Sequence, residues 1–185
     1  MLNKNADYIK EVLVSEKELN NRLDEMALEI SEKYKDSNKE LLVVGILRGA
    51  VIFMSNLITR LDLEVKIDFM AVSSYGTESK SSGVVRILKD LEEDIEGKDV
   101  LIVEDIIDSG NTLNYLTKNL QDRGANSVAV ATLLDKPDRR KVNVAVDFVG
   151  FKIPDEFIVG YGLDFDQQHR NLPFIAALKE EYYTK

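Results

Sequence analysis

The feature that most restricts the fold of this chain is a series of short apolar runs separated by helical patterns. LLVVGIL (41–47), VLIV (100–103) and SVAVATLL (127–134) are such runs. A strand apolar on both faces is buried on both faces, which is the situation of a central strand in a parallel sheet. Between the runs the period changes. Ser15 and Glu18 form a capping-box pattern, and Leu19, Leu23, Met26, Ala27, Ile30 and Tyr34 then recur at helical spacing. VIFMSNLITRL after Gly49 reads as a second helix, and Leu113, Leu116 and Leu120 mark a third, ended by Gly124. EVKIDFMAV (64–72) alternates and predicts a half-buried strand nearer the sheet edge, while VVRIL and VDFVGF add two more strands. Strands alternating with helices predict an α/β protein with a doubly wound, mainly parallel sheet flanked by helices. With 185 residues, no internal repeat and no linker, the expectation is one domain.

Composition bounds the chemistry. The net charge is −9 and no basic stripe is visible, so no nucleic-acid partner is expected. No run is long enough for a transmembrane helix and MLNKNADYIK lacks an apolar signal core, so neither a membrane partner nor export is expected, and the chain reads as cytoplasmic. Without cysteine there is no disulfide framework and no thiolate zinc site. DKPDRRK (135–141), the one dense basic cluster, reads for the most part as a solvated loop.

The apolar run VLIV continues into Glu104, Asp105 and Asp108. Acids favoured by the dipole of the following helix account for Asp108, but not for a Glu-Asp pair on a buried strand. Paired carboxylates suit a hard cation such as Mg²⁺, although the spacing of an EF-hand and the lysine of a phosphate loop are missing. A phosphoacceptor receiver would need an acidic pair after the first strand, and VVGILRG has none. The turn behind the acids completes a third reading. DSGNT opens a helix, Gly110 permits close approach, and Ser109 and Thr112 add hydroxyls, which together cradle a phosphate monoester. Glu104 and Asp105 then lie within reach of ribose hydroxyls or a metal, so a ribose 5-phosphate fits both halves.

This arrangement of apolar residues, Glu-Asp, two apolar residues and Asp-Ser-Gly-x-Thr closely resembles the 5-phosphoribosyl-1-pyrophosphate (PRPP) motif of type I phosphoribosyltransferases. GILRGA (45–50), SSYG (73–76), LLDKP (133–137) and DFVGFKIPDEFIVGYGLDFDQQHRNLP (147–173) are similar, in order, to blocks of the hypoxanthine-guanine branch. The resemblance runs from about Glu11 to Leu178. It implies the type I fold, with a core at about 38–150 and a small hood from about 1–15 and 151–185. It also implies Mg²⁺-dependent transfer of phosphoribose from PRPP to a 6-oxopurine, giving IMP or GMP and pyrophosphate, by a homodimer or homotetramer.

The resemblance assigns residues as well. Glu104 and Asp105 hold the ribose and metal, Asp108 lies at the purine N7 as the catalytic carboxylate, and Asp108, Ser109, Gly110, Asn111 and Thr112 bind the 5-phosphate. Leu47, Arg48, Gly49 and Arg170 meet the pyrophosphate, at a turn where the family often has a strained peptide. Lys136, Phe157, Ile158, Val159 and Asp164 serve the purine, with Asp164 also a ligand of a second Mg²⁺. An ammonium only donates, so Lys136 accepts company from a 6-oxo group and rejects adenine. Ser74 and Tyr75 begin a lid that excludes water. Arg48 stands where many relatives have lysine, Asn111 fills a variable slot, and Gly162 replaces a commoner alanine and is expected to loosen its loop. His169 is given no role and a solvated position. Rival readings are a xanthine-preferring enzyme, a nucleotide-binding regulator of RNA and a receiver module.

Overall fold

The computed structural model describes residues 6–74 and 85–184. Strand β1 (Ile9–Val14) leads into helix α1 (Glu16–Tyr34), and then β2 (Leu41–Leu47), α2 (Ala50–Ile58), β3 (Val65–Ser74) and β4 (Val85–Lys89) follow. The second half contains β5 (Asp99–Ile107), α3 (Asn111–Asp122), β6 (Ser127–Asp135), β7 (Phe148–Lys152), β8 (Ile158–Val159) and β9 (Ile175–Leu178), with 3-10 turns at Pro137–Arg139 and Glu180–Tyr182. The capping box forms, with the Glu18 N–H donating to Ser15 Oγ at 3.3 Å and the Ser15 N–H to Glu18 Oε2 at 2.9 Å. The six apolar residues expected on one face of α1 are its buried residues.

Six strands build the main sheet in the order β4-β3-β2-β5-β6-β7. All neighbours are parallel except β3 and β4, so one edge is antiparallel. The β3 segment expected near an edge lies one strand in from it. The continuous apolar runs are explained by the two faces they serve. On β2 and β5, Leu41, Val43, Leu101 and Val103 pack with α1 and α2, whereas Leu42, Val44, Val100 and Ile102 pack with α3. Period-two alternation thus puts every second side chain into each of two separate cores, which is the doubly wound arrangement predicted from the sequence. Among the described residues no helix is long and apolar enough to cross a membrane.

A second sheet, order β1-β9-β8, covers one end of the first. The apolar pattern predicted none of its strands, and β8 has only two residues. The sheet holds a small cluster of its own around Ile9, Val159, Phe174 and Leu178.

Candidate active site

The order of the main sheet reverses between β2 and β5, so connections leave that pair in opposite directions and uncover a crevice beyond the C-terminal ends of the two strands. Leu47, Arg48 and Gly49 leave β2 there, and Glu104 to Ile107 end β5 there. The Leu47–Arg48 peptide is cis. A Cβ on Gly49 would collide with the Asp105 carboxylate, so glycine lets the two strand ends close on each other. Gly162, between β8 and β9, meets the same turn. Its φ is 106° and a Cβ would strike the Gly49 carbonyl oxygen. The expectation that glycine loosens this loop is therefore corrected, because here glycine is what permits tight packing.

The acids that crowd this end lack compensation. Glu104 Oε2 is buried and has no hydrogen-bond partner. Burial, and then the Asp105 charge beside it, push the Glu104 carboxyl well above the usual range. Asp105 is also raised by burial, in spite of the Ile106 N–H that donates to Oδ1 at 2.9 Å and the field of Arg170. Two carboxyls that burial drives toward the neutral form, Glu104 further raised by the charge of Asp105, make a receptor for positive charge.

Asp108 to Thr112 wrap from the end of β5 onto α3. Gly110 takes the helix N-cap with φ 84°, where a Cβ would lie 2.9 Å from the Val142 carbonyl oxygen. The N–H groups of the first turn have no intrahelical acceptor and carry the positive end of the helix dipole. The turn is held from behind by Lys141 and Val142, whose N–H groups donate to the Ser109 carbonyl at 3.0 and 3.2 Å. Glu104, Asp108, Ser109, Gly110, Thr112 and Leu47 share the wall of a cavity of about 220 Å³.

A second cavity, of about 350 Å³, lies on the other side of Asp108. Lys136, Phe157, Ile158 and Asp164 line it, together with Arg139, Asp155 and Tyr183, which the sequence had not singled out. Lys136 is 7% exposed, and its ammonium donates to the Glu156 carbonyl at 2.5 Å. Phe157, 37% exposed, stacks on Tyr183 at 4.9 Å between ring centroids and meets Phe165 edge-on. Val159 does not line this cavity. Its side chain is buried in the cluster of the second sheet.

Both cavities are lined by Ile106 and Asp108. One opens on a helix N-terminus and the other on an aromatic ring and an ammonium, with a single carboxylate at the join. A chain bearing such a site invites comparison with known proteins. The model of the phosphoribosyl transferase domain matches residues 14–166. The chain belongs to the phosphoribosyltransferase family. A hypoxanthine-guanine phosphoribosyltransferase of Staphylococcus epidermidis is 54% identical over 96% of this chain and 98% of its own length. A hypoxanthine phosphoribosyltransferase of Escherichia coli is 53% identical over 91% of this chain and 94% of its own. A crystal structure of the hypoxanthine phosphoribosyltransferase of Staphylococcus aureus, 48% identical, superposes with a TM-score of 0.94 over all of both chains.

Arg170 and Asp164 are placed together, with Arg170 Nη2 2.7 Å from Asp164 Oδ1. Asp164 also accepts from the Gln167 N–H at 2.8 Å, through its other carboxylate oxygen. Arg48 and Arg170 converge on one acceptor, Gln167 Oε1, at 2.8 and 3.2 Å. Gln167 lies in a turn where Asp166, Gln167 and His169 all have positive φ, a backbone pattern that no local propensity signals. His169, in a loop and only partly buried, packs against Tyr8 with ring centroids 4.4 Å apart. The basic cluster is for the most part an exposed loop, as expected, with exceptions at the site. Arg139 and Lys136 line the base-side cavity, and Arg140 donates to Asp135 at 2.9 Å. The lid falls largely outside the described residues: Ser74 ends β3, and Tyr75 lies in the stretch 75–84.

Proposed function

We propose that this crevice transfers the 5-phosphoribosyl group of PRPP to N9 of hypoxanthine or guanine, giving IMP or GMP and pyrophosphate. The coarse class follows from the family and from relatives more than half identical: an enzyme of the hypoxanthine-guanine phosphoribosyltransferase type, acting in purine salvage. The observation that carries the finer reading is the sharing of Asp108 by the two cavities. With the 5-phosphate on the turn from Ser109 to Thr112 and the purine against Phe157, the reacting atoms meet beside Asp108. N9 bonds to C1 of the ribose as the C1–O bond breaks, and pyrophosphate leaves with the bonding electrons. Asp108 accepts the proton carried by N7 and, while ionised, stabilises positive charge developing on the sugar.

Arg48 and Arg170 receive the pyrophosphate, for which their forked donors are suited. Lys136 donates to the purine 6-oxygen, Phe157 stacks on the ring, and the backbone of Ile158 and Val159 meets the base edge. The family implies Mg²⁺, and the donor set fits it at Glu104 and Asp105, where a buried oxygen lacks a partner and two carboxylates share one space. Among the described residues no cluster of three metal-ligating side chains occurs, so Mg²⁺ would complete its shell from substrate and water. Bound there, it supplies positive charge to the sugar and pyrophosphate oxygens. Asp164 is the ligand proposed for a second Mg²⁺. The working unit is proposed as one domain, closed by a lid that begins at Ser74 and Tyr75, in a cytoplasmic homodimer or homotetramer.

A spectrophotometric assay with PRPP and Mg²⁺ against hypoxanthine, guanine, xanthine, adenine and uracil tests this. Turnover of hypoxanthine or guanine, none of adenine, and loss with EDTA are expected. Turnover of adenine would remove the role given to Lys136. Lys136→Ala should raise KM for hypoxanthine by about tenfold or more, with a smaller change for PRPP, because a buried donor for the 6-oxygen is lost.

A further inference from the structure

The 3-10 turn after β6 and the segment between β7 and β8 each bring a charged residue against one that the proposed reaction uses. Arg139 Nε lies 3.0 Å from Asp108 Oδ1, and Arg139 Nη1 lies 3.3 Å from Asp155 Oδ1. Lys136 Nζ lies 3.6 Å from the same Asp155 oxygen. Asp108, Arg139, Asp155 and Lys136 therefore form a chain of alternating charge that runs from the carboxylate at the join of the cavities to the ammonium at the far wall of one of them. We propose that Arg139 and Asp155 are positioning residues that couple capture of the purine by Lys136 to the orientation of Asp108. This inference rests on the reaction proposed above.

The geometry gives each member a distinct task. Arg139 takes one oxygen of Asp108 and leaves the other for the purine N7. Lys136 directs one donor to the Glu156 carbonyl at 2.5 Å and another toward Asp155, which leaves a third for the 6-oxygen. The turn keeps the two cations in register, because the Arg139 N–H donates to the Lys136 carbonyl at 3.2 Å. Asp155 belongs to the segment between β7 and β8 that also carries Phe157, so the stacking ring and the charge chain move with one loop.

Exposure decides when the chain acts. The side chains of Asp108, Arg139 and Asp155 are 48%, 49% and 51% exposed. Ion pairs that wet are weak in the empty protein. A purine filling the cavity excludes water from them, and each attraction strengthens as the local dielectric falls. The coupling thus belongs to the complex with base. Arg139 and Asp155 line the base-side cavity and are absent from the wall of the phosphate-side cavity, so PRPP capture should not depend on them.

The test is steady-state kinetics of the full chain with hypoxanthine and PRPP for Arg139→Gln, Asp155→Asn, the double variant and Arg139→Lys. Arg139→Gln should lower kcat about tenfold, the scale of a modest misorientation of a reacting group, and leave KM for PRPP unchanged. Asp155→Asn should raise KM for hypoxanthine about fivefold and lower kcat as well. The double variant should be no worse than the weaker single one, because both break one chain. Arg139→Lys, which keeps the charge, should recover part of the loss. Single variants with the parent's constants, losses that multiply in the double variant, or an equal rise in KM for PRPP would each overturn the proposal. These outcomes are distinct from failure of the proposed reaction, in which the parent protein itself turns over no 6-oxopurine.

Discussion

Strand β5 begins and ends in acid, and the two ends are built in opposite ways. Asp99 at its start is 4% exposed and accepts hydrogen bonds from Ser37 at 2.7 Å, Asn126 at 2.7 Å and Ser127 at 2.6 Å. Burial alone would raise its pKa, but the donors of Ser127, Asn126 and Ser37 win and hold the carboxyl below the usual range. Glu104 and Asp105 at the other end are raised by burial, and one Glu104 oxygen has no donor at all. The same strand thus carries one acid whose donors all come from the protein and, at its other end, a pair that the protein leaves short of donors. A carboxylate completed by its own fold stabilises that fold, whereas an incomplete one stabilises a ligand.

Exchanging function for stability between the ends is the way to break this comparison. The largest effect is expected at the ligand-facing end. Asp108→Asn should keep PRPP binding and lower kcat by about 10²–10⁴, the usual contribution of a positioned proton acceptor. A parent-like rate would remove Asp108 from that role. Asp99→Ala should do the reverse, leaving kcat/KM intact and costing about 1.5–3 kcal/mol in urea unfolding, because hydrogen bonds to a buried, charged acceptor are lost. The sign with pH follows from the lowered pKa of Asp99. The unfolded chain binds the proton more readily, so the stabilisation is present above pH 3.8 and is lost as pH falls through the lower folded value. The acid limb of the parent's stability curve should accordingly flatten in Asp99→Ala.

Much of this was legible in the sequence because the decisive features are local. A capping box is set by four consecutive residues, and a strand apolar on both faces needs only the order of its side chains. The β5 end with its phosphate turn is contiguous too, so Glu104 to Thr112 could be assigned together. What escaped depends on distant contacts. The two residues of β8 are a strand only because β9 pairs with them, and β9 in turn lies on β1 from the other terminus. Arg139 reads as a solvated cation because its neighbours in sequence are polar, and its side chain is half exposed, but its partners Asp108 and Asp155 lie far from it along the chain and could not be read there. Tyr183 gave no signal for its place on Phe157, since a tyrosine near a terminus has no period to read. Gly162 misled for a related reason, because its requirement is imposed by the Gly49 carbonyl across the crevice.

The smallest effect sharpens the comparison most. Glu104→Gln removes a charge that the empty protein holds at a cost, so the ligand-free variant should be more stable than its parent at neutral pH, by about 1–2 kcal/mol, or roughly 2–8 °C in Tm for a chain of this size. The pH dependence supports the sign. A carboxyl whose folded pKa is raised above 4.5 binds more protons in the folded state, so its contribution falls as pH rises from about 4.5 through the higher folded value. The gap in Tm between variant and parent should therefore open over that range and vanish below it. With Mg²⁺ and PRPP the order should invert, because the parent gains stability from its ligands and the variant gains less. A variant that melts below its parent without ligand would mean that Glu104, like Asp99, is an acid its own fold has completed.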